Sequence, residues 1–106
     1  MADSKKDTLW HVSLSTKAHK QANKMPKKVL DQLTKLLKSM EISGPIQKDW
    51  PHFSSLEKSK KLVPKDSYHC HIKRGRPTYV ACWQEVDKKK KSIEVFYVGT
   101  HEGSPY

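Results

Sequence analysis

The feature of this sequence that most constrains its fold is one amphipathic stretch bounded by proline and glycine. Pro26 suits the first turn of a helix, and Gly44 with Pro45 ends it. Between them, apolar residues recur with a period near 3.6, at Val29, Leu30, Leu33, Leu36, Leu37 and Met40. The opposite face carries Lys27, Lys28, Lys35 and Lys38. A helix with one apolar stripe needs a second layer to cover it, and the rest of the chain must supply that layer.

Period-two alternation of apolar and polar residues predicts that this layer is a β-sheet. The segment 10–14 alternates in this way and predicts a first strand. The segments 68–73 and 78–86 are predicted to pair as a hairpin across a short turn. The segment 93–98 is apolar on both faces, which is typical of a central strand.

A short helix is predicted between the first strand and the long helix. Ser15 and Thr16 are good N-cap residues, and Ala18, Ala22 and Met25 follow at helical spacing. The segment 46–64 shows no period and is predicted to be a loop or an irregular strand. The predicted fold is therefore α+β: a strand, a helical hairpin and three further strands. The strands form a mainly antiparallel four-stranded sheet with the helices on one face, and the other face is available to a ligand.

Length and charge limit the domain organisation and the kind of partner. With 106 residues, we expect a disordered segment 1–7 followed by one domain over 8–106. There are 21 basic and 11 acidic residues, so the net charge of +10 favours an anionic partner such as nucleic acid. No signal peptide or membrane span is predicted, so we expect a cytoplasmic protein. Cys70 and Cys82 are accordingly expected to be free thiols in the core.

Candidate functional residues concentrate in the predicted hairpin. Strand alternation places His69, His71 and Lys73 on one face, opposite the face of Cys70. The only two arginines in the protein, Arg74 and Arg76, lie in the adjoining turn. A guanidinium binds phosphate oxygens in a bidentate way, so this turn is interpreted as a phosphate or RNA contact. The simpler interpretation, a solvated basic turn, stays open.

The tail adds a histidine and an aromatic ring. His101 follows the last predicted strand, and Tyr106 lies five residues later. If they reach the same surface, the site holds an acid, a base and positive charge, which suffice to cleave RNA through its own 2′-hydroxyl. A zinc centre of His69, His71 and His101 is a weaker alternative, because basic residues surround it. We therefore expect no metal, and since no glycine-rich phosphate loop is present we expect no cofactor.

These residues resemble the RelE/ParE superfamily of bacterial toxins, over roughly residues 9–106. The resemblance is carried by the segments 68–73, 75–77, 79–80 and 98–101, and it is closest to the histidine-bearing YafQ-like branch. It implies that His71 is the strand histidine of that branch and that His101 is the tail histidine, acting as general acid. Tyr106 is similar to the family's terminal aromatic, and His52 to a loop histidine.

The sequence also departs from the family pattern. Gly75 and Arg76 replace an acidic residue and a tryptophan, and the last strand lacks the arginine that many relatives carry. Lys73, Arg74 and Arg76 are expected to supply that charge, with Arg76 counted in the catalytic set beside the two histidines. His69, Lys73, Arg74 and Tyr106 are expected to bind RNA or its phosphates.

The resemblance implies a toxin of a toxin-antitoxin system that cleaves mRNA in the A site of the 30S ribosomal subunit, without metal. Its expected partners are mRNA, the ribosome and a cognate antitoxin protein. Two alternatives stay open, namely a noncatalytic ParE-like inhibitor of DNA gyrase and a basic protein that only binds RNA. Neither requires His71 or His101, so these two histidines distinguish the nuclease from both alternatives.

Overall fold

A computed structural model describes residues 9–56 and 63–106. In chain order, the elements are β1 His11–Leu14, α1 Thr16–Asn23, α2 Lys27–Ser43, β2 Ser54–Ser55, β3 Ser67–Lys73, β4 Tyr79–Asp87 and β5 Ser92–Thr100. The strands form one sheet in the order β1-β5-β4-β3-β2. Only the β1–β5 pair is parallel within the described part of the chain. The predicted α+β fold is therefore confirmed, while the segment 1–7 lies outside the described residues.

The sheet has five strands where four were predicted. The extra strand, β2, has two residues and pairs antiparallel with β3, with Ser54 opposite His69. It lies in the segment 46–64, for which the sequence left a loop or an irregular strand open. Two exposed serines carry no alternation of polarity, so the strand is visible only through its pairing.

The long helix α2 packs its predicted apolar stripe against the sheet. Leu36 and Met40 are completely buried, and the sheet covers them with residues that include Cys70, Ala81 and Val95. Trp83 is also fully buried, and its indole N–H donates to the carbonyl of Pro45 at 2.9 Å. This bond holds the segment after α2 against the centre of the sheet.

The short helix α1 completes the hydrogen bonding of β5. Its predicted N-cap is confirmed, since Ser15 Oγ accepts a hydrogen bond from the Ala18 N–H at 3.1 Å. The pairing of β1 with β5 ends at Val95. Beyond it, the buried N–H of Val98 donates to Gln21 Oε1 of α1 at 3.0 Å. A side chain thus replaces the missing strand partner, which avoids an unsatisfied buried donor.

The face of the sheet away from the helices carries a second, smaller cluster. Val80, Cys82 and Tyr97 are buried there, and Tyr106 packs against them. Cys70 lies on the helix side, so the two thiols belong to opposite faces. Both are free cysteines, as predicted. Burial raises the pKa of Cys70 to about 12 and raises the pKa of Cys82 further, so both thiols stay protonated.

Within the described residues, no helix has the length and apolar character needed to cross a membrane.

Replacing Gly44 with alanine should lower the free energy of unfolding by about 2–4 kcal/mol. Gly44 ends α2 at φ +87°, and an added Cβ would lie 2.9 Å from Cε2 of Trp10. Gly75 is the matched control, because its φ is +140° and an added Cβ meets no atom within 4 Å. Gly75→Ala should cost only the backbone strain, about 1–2 kcal/mol. Urea unfolding measures both variants, and an equal loss of unfolding free energy in the two would contradict the close approach of Trp10 to Gly44.

Candidate active site

The register of three strands brings two distant histidines together. His71 of β3 lies opposite Val80 of β4, and Val80 lies opposite Gly99 of β5. His101 follows two residues after Gly99, and its N–H donates to the carbonyl of Thr78 at 2.9 Å. The ring centroids of His71 and His101 are 5.4 Å apart, with an interplanar angle of 73°. The predicted meeting of strand and tail is therefore observed, on the sheet face away from the helices.

A third histidine joins this pair from the loop before β2. The ring of His52 stacks on His71 with a centroid distance of 4.2 Å. The N–H of His71 donates to the carbonyl of Pro51 at 2.8 Å, which fixes the loop against β3. Arg74 Nη2 lies 2.8 Å from His52 Nε2. Because a guanidinium can only donate, this nitrogen of His52 is the acceptor of that hydrogen bond.

His69 is held between a serine and the tail. Its Nδ1 lies 3.2 Å from Ser54 Oγ, and its ring centroid lies 4.2 Å from that of Tyr106. The Tyr106 ring is also edge-on to His101 at 5.9 Å. The Tyr106 hydroxyl is buried without a hydrogen-bond partner among the described residues. Its burial raises the pKa of Tyr106 to about 12, and the nearby Ser104 side chain lowers it only in part.

Tyr97 supports the turn of the tail around His101. The Tyr97 hydroxyl donates to the carbonyl of Thr100 at 2.7 Å, and Ser104 Oγ donates to the carbonyl of His101 at 2.7 Å. A Cβ at Gly99 or Gly103 would lie 2.7 or 2.9 Å from the Tyr97 hydroxyl oxygen. This support was not predicted from the sequence. Its visible signal was the pair of glycines that flank His101.

One predicted basic residue, Lys73, lies on the other face of the sheet from the histidines. The strand register shifts between His71 and Lys73, which pairs Lys73 with Tyr79. Tyr79 packs on the helix side of the sheet, and Lys73 accordingly lines a groove beside α2. The prediction that Lys73 shares the face of His69 and His71 is therefore wrong. Arg76 lies exposed in the turn between β3 and β4, and its catalytic role stays a prediction.

Burial and mutual repulsion keep the inner histidines neutral. Burial, together with the neighbouring imidazole of His71, lowers the pKa of His69 to about 4. The pKa of His71 is also lowered, first by burial, then by His52, His101 and Arg74. At neutral pH, His71 is therefore an uncharged imidazole that can accept a proton.

The geometry gives the zinc alternative no support. Among residues 9–56 and 63–106, no three His, Cys, Asp or Glu side chains are placed to hold one ion. The buried Cys70 is protonated and lies on the other face of the sheet. The cluster of imidazoles with Arg74 is instead suited to acid–base chemistry on an anionic substrate.

Lowering the pH from 6.5 to 4 should lower the free energy of unfolding. The folded pKa of His69 is about 4, against 6.5 as the ordinary value, so the unfolded chain binds more protons in this interval. We expect His69→Gln to reduce this loss of stability in urea unfolding. His11→Gln is the control, since His11 is exposed in β1 and lies outside the histidine cluster. An unchanged slope in His69→Gln would contradict the burial of a neutral His69.

Comparisons with known proteins concern the fold. No protein-family model and no curated protein matches the chain. A mutant of the E. coli toxin RelE in the free state has a TM-score of 0.64 and 23% identity, covering 92% of this chain and 88% of that one. The YoeB dimer of Staphylococcus aureus has a TM-score of 0.64 and 18% identity, covering 89% of this chain and 99% of that one. The archaeal RelE–RelB complex of Pyrococcus horikoshii OT3 has a TM-score of 0.63 and 14% identity, covering 92% of this chain and 100% of that one. The chain therefore has the RelE-like fold.

Proposed function

We propose that this protein is the toxin of a toxin-antitoxin system, within the RelE-like superfamily, and that it cleaves mRNA on the ribosome. The observation that carries the proposal is the pair of His71 and His101, whose ring centroids lie 5.4 Å apart on the open face of a RelE-like sheet. The similarity to the E. coli toxin RelE supports the toxin assignment. The archaeal RelE–RelB complex supports an antitoxin protein as partner.

The proposed chemistry is transfer of the RNA phosphate to its own 2′-hydroxyl. Neutral His71 takes the proton of that hydroxyl, and the 2′-oxygen then forms a bond to phosphorus. The bond from phosphorus to the 5′-oxygen breaks, and His101, as general acid, donates a proton to this leaving oxygen. The products are a 2′,3′-cyclic phosphate and a 5′-hydroxyl. No metal ion is needed, because the two imidazoles supply both proton transfers.

Positive charge and aromatic rings support the same assignment. Arg74 is held beside His71 through His52, within reach of a phosphate at the histidine pair. Arg76 lies in the same turn and is proposed to add charge to the transition state. Tyr106 is proposed to stack on a base, with His69 behind it. The net charge of +10 favours docking on ribosomal RNA, and the proposed activity is accordingly cytoplasmic.

Alanine at His71 or His101 should abolish cleavage of a reporter mRNA. Removing a general base or acid costs about 10²–10⁴-fold in rate. The measurement is primer extension in a cell-free translation system, with and without translating ribosomes. The matched control is His19→Ala, since His19 is an exposed histidine of α1 outside the site. Circular dichroism of each variant shows whether it is folded.

Three results would contradict the proposal. Cleavage that persists in both His71→Ala and His101→Ala would exclude the proposed acid–base pair. An absence of cleavage by wild-type protein, with inhibition of DNA supercoiling by gyrase, would establish the ParE-like alternative. An absence of both activities, with retained RNA binding, would leave a basic RNA-binding protein.

One 2′-deoxynucleotide at the cleaved position should prevent cleavage of the reporter mRNA. The proposed reaction uses that 2′-hydroxyl as nucleophile, so its removal leaves nothing to attack the phosphate. The control carries the same substitution one codon downstream and should be cut normally. Cleavage at the deoxy position, leaving a 5′-phosphate, would show that water is the nucleophile and would contradict the mechanism.

A further inference from the structure

A basic groove lies between α2 and the end of β3. It has a volume of about 370 Å³, with Ile72 at the strand side and four cationic side chains around it. These are Lys28 and Lys35 of α2, and Lys73 and Arg74 at the end of β3. Asp31 is the one acidic residue that lines it. The proposed reaction uses none of the α2 residues, so the groove is not part of the histidine site.

The charge of this groove is available to a ligand. Lys28, Lys35 and Lys73 are exposed, and none of them makes an ion pair with another residue in the described part of the chain. Lys28 and Lys35 are seven residues apart, so their backbones are separated by about 10.5 Å along the helix axis. Cations spaced along a groove favour an extended anion over a single small ion.

The side chain of Arg74 connects the groove with the histidine site. Arg74 lines the groove, and its guanidinium also donates to His52, which stacks on His71. The β-bulge before Lys73 is what turns this lysine toward α2. An anionic strand that crosses His71 therefore meets Arg74 first, and then the lysines of α2 and β3.

We propose that this groove binds the phosphodiester backbone of the same RNA, beside the phosphate that is cleaved. The inference rests on the proposed function, since it extends the path of that substrate over α2. RNA is favoured over an acidic protein segment because Arg74, which lines the groove, also donates to His52, and His52 stacks on His71 of the histidine pair. Lys28 and Lys35 are then binding residues for a flanking phosphate, and they take no part in proton transfer.

The test is RNA binding without ribosomes, measured by fluorescence anisotropy at several salt concentrations. The probes are a labelled hexanucleotide, 2′-O-methylated so that it cannot be cut, and a dinucleotide with one phosphodiester. The groove variant is Lys28→Gln with Lys35→Gln. The control is Lys27→Gln with Lys38→Gln, which removes the same charge from lysines of α2 that do not line the groove.

The groove variant should bind the hexanucleotide about 10-fold more weakly than the control variant at low salt. Its slope of log affinity against log salt should be shallower by about 1.4, or 0.7 for each phosphate that no longer pairs with a lysine. The difference between the two variants should be smaller for the dinucleotide, because its single phosphodiester cannot contact the histidine site and the groove lysines together. Equal affinity of both variants for the hexanucleotide would overturn the proposal and favour an acidic protein as occupant.

The nuclease and the groove are judged by separate readouts. If wild-type protein cuts no mRNA in the primer-extension assay while the difference in salt slope is present, the nuclease assignment fails and the groove stands as an RNA-binding surface. If cleavage occurs but the two variants have equal salt slopes, the groove proposal fails and the nuclease stands.

Discussion

The antiparallel pairing of β3, β4 and β5 is the constraint on which the candidate site depends. It sets His71, Val80 and Gly99 in one row across the sheet, so the tail histidine must emerge beside the strand histidine. The alignment uses backbone hydrogen bonds, which any sequence with the same pattern of buried residues can form. The helices stabilise this arrangement from the other face, and the hydrogen bond that the Val98 N–H donates to Gln21 Oε1 satisfies β5 where β1 has ended.

Local pattern was enough to predict most of the fold and the centre of the site. The stripe of α2 and the alternation of β3 each arise within a few neighbouring residues, because burial on one face selects apolar side chains at one period. For that reason the shared face of His69 and His71 could be predicted from the sequence. The meeting of His71 with His101 required the order of strands, which the resemblance to known toxins also implied.

The features that were missed depend on contacts between distant segments or on irregular backbone. The predicted position of Lys73 was wrong because a β-bulge reverses the face of every later residue, and alternation alone does not reveal a bulge. The resemblance named His52 as a loop histidine, but its stacking on His71 was not predicted, because the loop has φ of +55° at His52 and no periodicity marks it. The strand Ser54–Ser55 is defined by its partner β3, and its own two residues carry no pattern.

The reactivity of the two cysteines reports local opening on each face of the sheet. Cys70 is covered by the helices, whereas Cys82 is covered on the opposite face by the layer that includes Tyr106. Each thiol is fully buried and protonated, so an alkylating reagent can reach it only after its own cover moves. The alkylation rate of Cys82 therefore measures opening of the layer on the histidine face, and that of Cys70 measures separation of the helices from the sheet.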